Sequence, residues 1–153
     1  MVTSYELWLF LHISAAVLWI GGAVAVQVFG VLANASGDPA RSAAFGKDTG
    51  VMVRWIFMPS SLVVLVTGIL LVSDGNWDWG EWFIVLGLVG WAAVALAAFG
   101  YLTRALGSVG KRMAIEGPSP ALGAEMKRLI LVARILIVVL FAIVFVMVVK
   151  PGL

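Results

Sequence analysis

An all-α integral membrane protein, built as a four-helix transmembrane bundle with both termini extracytoplasmic, is predicted by three observations. The chain has 153 residues, 63% hydrophobic and 12% charged, with a mean hydropathy of +1.11, far more apolar than an ordinary soluble domain. Apolar runs at about 5–32, 51–72, 82–102 and 129–149 each reach the length of about 20 residues that crosses a bilayer. Every Lys and Arg except Lys150 falls in or beside the first and third connections, whereas Glu6, Asp74, Asp78 and Glu81 lie on the other side. The positive-inside rule then sets those two connections in the cytoplasm. Short connections make neighbouring spans antiparallel, and residues 1–153 read as one domain.

The first span carries the only histidine, His12. Its leader, Met1 to Glu6, has an acid and no cation, so it reads as a retained span rather than a signal peptide, which needs a cationic start. The run ends in Asn34, Ser36, Gly37, Asp38 and Pro39, strong turn chemistry. A short polar connection to Gly50 follows, with a helical turn in it as one option.

The second span opens with Arg54 and Trp55 at an interface and contains Pro59, which predicts a kink, since proline removes one backbone hydrogen bond. The turn 73–81, with Trp77 and Trp79 followed by Trp82, is acidic and fits an aromatic belt at headgroup level. In the third span Gly87, Gly90, Ala93, Ala97 and Gly100 form one small-residue stripe, suited to close helix approach inside the monomer or at a homodimer face. Pro118 and Pro120 divide the basic connection 104–128 into two pieces that extend the neighbouring helices. The fourth span is aliphatic and ends at Lys150 and Pro151.

Composition narrows the function. With no cysteine there is no disulfide framework, thiolate metal site or cysteine nucleophile. The formal charge of +2 follows from membrane topology and needs no nucleic-acid partner; the partner it predicts is the lipid bilayer. Phosphate-binding glycine loops, paired histidines and intramembrane carboxylates are absent from the sequence.

His12 is therefore the residue on which function turns. An intramembrane ionisable side chain is a ligand, a proton carrier or a hydrogen-bonded packing residue, and the sequence leaves all three open. Counting from the outer surface brings Thr67, Gly68, Gly90, Trp91 and 141–143 to the level of His12. Trp19 falls on the same helix face seven residues deeper, with Gly22 beside it. In the packing reading His12 hydrogen-bonds Thr67 or a backbone carbonyl; in the ligand reading these surroundings suit a flat apolar cofactor. A neutral imidazole is a common ligand for haem iron and a good one for copper or zinc, so His12 is the candidate metal ligand and haem b the candidate cofactor. Met58 and Met147 are weak candidates for a second axial ligand, because methionine more often fills irregular gaps. Arg134 either snorkels to the cytoplasmic interface or turns inward to meet a haem propionate, a phosphate or Asp48.

Leu11-His12 followed by Trp19, Gly21 and Gly22, with Pro59, Thr67-Gly68, the tryptophan-rich turn and the terminal run 147–151, covers most of the chain. This set resembles bacterial four-helix membrane families: the copper-resistance D domain, the HemJ-type protoporphyrinogen oxidases and, most closely, an uncharacterised integral membrane family. The resemblance implies multi-pass placement in the bacterial inner (cytoplasmic) membrane. It also implies a haem role for the residue at His12. The HemJ-type oxidases carry a lysine near the start of the third span, where this chain has Trp82, Phe83, Ile84 and Val85, which disfavours oxidase activity. Three functions follow: a haem protein in electron transfer or haem handling, a copper-handling or small-solute carrier, and an assembly subunit without cofactor.

Overall fold

A computed structural model gives residues 2–117 and 119–150, Pro39 by its backbone alone; Pro118, Pro151 and the two residues after it lie outside the described residues. The described residues form four helices long and apolar enough to span a membrane: α1 (Ser4–Ala35), α2 (Ala40–Asp74), α3 (Trp82–Glu116) and α4 (Pro120–Val149). The protein is an all-α integral membrane bundle.

Local chemistry starts each helix. Thr3 caps α1 in a reciprocal box, its hydroxyl accepting from the Glu6 N–H at 3.2 Å while the Glu6 carboxylate accepts from the Thr3 N–H at 2.8 Å. Asp38 accepts from Ala40 N–H at 2.9 Å with Pro39 in the first turn, and Ser119 accepts from Leu122 N–H at 3.3 Å with Pro120 in the first turn. Gly117, at φ +79°, ends α3 in a conformation other residues rarely adopt.

The connection before Gly50 is not the polar link its composition predicts. The Asp38 cap and the alanines 40, 43 and 44 make it helical, and it continues without a break into the second span. Phe45 gives this extension its anchor, because its ring lies where a side chain on Gly30 would be, 3.2 Å from the Cβ position. The connection 104–128 does extend α3 and α4 as expected. Its two arms share a small core of Val109, Leu122 and Leu129, and Arg112 pairs with Glu125 at 3.0 Å across them.

Both central helices contain a π-helical segment. In α2 it spans Val53–Phe57, and the Met58 N–H bonds back to the Val53 carbonyl. The widened turn lies just before Pro59, whose ring would crowd the carbonyl four residues earlier in a regular α-helix. The disturbance expected at Pro59 is thus a π-turn immediately upstream of it. A second π segment, Leu96–Leu102 in α3, has no proline to announce it; Thr103 closes it with its hydroxyl on the Ala98 carbonyl at 2.9 Å.

The two segments serve one cluster. Phe57 from the first packs with Trp19, Val94 and Leu140, and Phe99 from the second stacks on Trp19 with ring centroids 6.1 Å apart. Packing is most extensive between α1 and α2 and between α3 and α4, and sparser between these two pairs. In the outer half, the Met147 side chain fills the space a Cβ on Gly87 would need, and Ile143 lies 2.6 Å from the Cβ position of Gly90. That part of the small-residue stripe is used inside the monomer; Gly100 has nothing within 4 Å of its Cβ position.

Candidate functional site

Loose association of the helix pairs leaves a cavity between them in the outer half, with a volume of about 810 Å³. This is within the range of about 300–1,000 Å³ typical of small-molecule and cofactor sites. Trp19 lies in its deeper part, with Gly21 and Val24 beyond it, His12 and Trp91 on its walls, and Trp77 and Lys150 at its outer mouth. Most other lining groups are aliphatic. Val17 of α1 and Phe141 of α4 line the cavity yet are 64% and 54% exposed, so it opens sideways toward the lipid.

His12 is half-buried, and its orientation follows from one hydrogen-bond chain. Its Nδ1 lies 3.0 Å from the Thr67 hydroxyl. Thr67 is buried, and its hydroxyl donates its single proton to the Val63 carbonyl one turn back, a short contact that leaves the oxygen as an acceptor. The network therefore assigns the Nδ1–H tautomer to His12. Nε2 then carries the lone pair, and the Val64 carbonyl is a second acceptor for the ring N–H. Gly68 makes room for the ring, since a Cβ there would sit 3.3 Å from His12 Cε1. On the opposite wall Trp91 is held by its indole N–H, which donates to the Ser61 carbonyl at 2.9 Å.

The level matching made from the sequence thus brings His12, Thr67, Gly68 and Trp91 together. Trp19 joins them as a cavity wall, 4% exposed. Gly22 does not. It faces α2, where a Cβ would lie 2.5 Å from the Phe57 ring, so its lack of side chain serves the core. Arg134 is exposed on α4 and does not line the cavity, and no carboxylate is within ion-pair distance of it among the described residues. Of the methionines, Met147 packs into the Gly87 gap at the cavity wall and Met58 is exposed.

Sequence reasoning passed over Lys150. Its ammonium lies 4.1 Å from the Trp77 ring centroid and 5.4 Å from that of Phe83, two rings that themselves meet edge to face at 5.5 Å. As the one cation among outer-side acids it stood out, but nothing in the sequence aims it at the cavity.

The family model for a predicted integral membrane protein, DUF2269, matches residues 6–151, nearly the whole chain. The chain belongs to the DUF2269 family. No curated protein and no solved structure matches it. The DUF2269 match corresponds to the uncharacterised family that the Leu11-His12 and Trp19 to Gly22 motifs resemble, and it brings in neither the copper-resistance D domain nor the HemJ-type oxidases.

Proposed function

We propose that the cavity holds haem b, with His12 as axial ligand through Nε2, and that the protein works in electron transfer or haem handling in the bacterial inner membrane. The observation that carries this reading is the Thr67 to His12 hydrogen bond. A ligating histidine characteristically donates its other ring N–H to a fixed acceptor, which sets the tautomer and raises ligand basicity. Here Thr67, fixed by Val63, is that acceptor. The fit extends to the walls: a large, mostly apolar cavity bordered by Trp19 and Trp91 suits a flat macrocycle. When bound, haem supplies one-electron redox chemistry.

The chain's own residues supply orientation and exclusion. Thr67 keeps Nε2 free of a proton, Gly68 lets the ring stand upright, and the aliphatic walls keep the pocket dry. Haem titration of purified wild-type protein, beside His12→Ala and Thr67→Val, tests the reading. A Soret band in wild type that is lost in His12→Ala and weakened in Thr67→Val supports it. A wild type that stays colourless with haem supplied contradicts it, and bound copper in such a preparation favours the carrier reading.

A further inference from the structure

We propose that the outer mouth of the cavity is an anion subsite, in which the Lys150 ammonium holds the acidic group of an amphiphile whose apolar body lies between the helix pairs. The proposal rests on the haem reading for the identity of that body; there the acidic group is a propionate.

Lys150 lines the same cavity as His12. From Ile143, at the level of His12, to Lys150 is about 10 Å at 1.5 Å per residue, so a ligand near Nε2 reaches the ammonium only if it is extended along the bundle. The charge is positioned rather than loose. It sits over Trp77 and Phe83, at the carbonyl-rich end of α4, where the helix dipole favours a cation. Although Asp74, Asp78 and Glu81 lie in the adjacent turn, none is within 4.0 Å of it; both ion pairs among the described residues belong to Arg112. An aromatic-held cation at the mouth of an apolar pocket, with no carboxylate within 4.0 Å among the described residues, matches an acid joined to an apolar body. It also explains why Arg134, on the exposed surface of α4, is not needed for that role. The same anionic chemistry is offered by a phosphate of an anionic lipid whose chain enters through the side opening.

The test uses full-length protein in phosphatidylcholine nanodiscs, titrated with haem, haem dimethyl ester and iron-free protoporphyrin. Wild type is expected to bind haem about tenfold more tightly than its ester, the size of one charge-assisted contact. Lys150→Met should lose this preference and Lys150→Arg keep it. A Lys150→Met protein that retains the full preference overturns the proposal and leaves the haem reading standing. If haem gives no His12-dependent band while protoporphyrin still binds and loses about tenfold in affinity in Lys150→Met but not in Lys150→Arg, the haem reading fails and the anion subsite stands. Failure of all three ligands to bind overturns both. Competition by added phosphatidylglycerol that is lost in Lys150→Met identifies a lipid phosphate as an occupant of the same subsite.

Discussion

At the scale of single residues, the site depends on a hydroxyl as much as on the imidazole. Removing the Thr67 hydroxyl leaves His12 Nδ1–H without its acceptor. Thr67→Val is therefore expected to weaken haem binding about 10- to 100-fold, the usual cost of losing such a supporting contact, while the fold persists. Soret titration measures it; unchanged affinity would mean that the contact has no role in ligation. Two adjacent glycines make a sharper stability test. Gly21 has nothing within 4 Å of its Cβ position, whereas a Cβ on Gly22 meets the buried Phe57 ring at 2.5 Å. Gly21→Ala should leave thermal stability unchanged or raise it by up to about 1 kcal/mol, as a helical alanine does. Gly22→Ala should lower it, because overpacking a core costs about 1–3 kcal/mol. Equal midpoints for the two variants in detergent melts would contradict the packing described. At this scale the sequence was informative about His12, Thr67 and Trp19, because depth along antiparallel helices can be counted. It could not aim Lys150, whose place over Trp77 depends on how α4 meets the outer turn. Nor could it choose for Arg134, because a long side chain near an interface can turn either way.

At the scale of elements, the four spans were legible from apolar length, and their ends from Thr3, Asp38-Pro39 and Ser119-Pro120. The extension through 40–50 was not, because Gly46, Lys47, Asp48 and Gly50 make it read as a polar link. Its helicity comes from the Asp38 cap and from Phe45 docking at Gly30. The π segment at Val53–Phe57 had a visible cause in Pro59; the one at Leu96–Leu102 had none. The arms of α3 and α4 within 104–128 are a folded unit rather than frayed ends, since Leu122 is 1% exposed and packs with Val109. Leu122→Ala is expected to cost about 2–5 kcal/mol, the range for emptying a buried leucine site. A melt shifted by less than that, with no gain in protease sensitivity near 117, would show that the arms contribute little.

At the scale of the whole molecule, two helix pairs meet loosely in the outer half and pack around Trp19 deeper in, and the cavity between them opens to the side. The distribution of its cations predicts that the bundle has both termini on the extracytoplasmic side. As the chain has no cysteine, one introduced at Asn76 should react with an impermeant thiol reagent in intact spheroplasts, and one at Gly117 only after the membrane is opened. The reverse pattern would invert the bundle and put the cavity mouth in the cytoplasm. Haem ligation by His12, with Thr67 orienting the ring, is the proposal that these features support. It is tested most directly by the visible absorption spectrum of gently purified protein, wild type beside His12→Ala, before and after adding haem. A Soret band is expected in wild type that the folded His12→Ala protein lacks. A colourless wild type with haem supplied, or a band of equal intensity in both proteins, would contradict it.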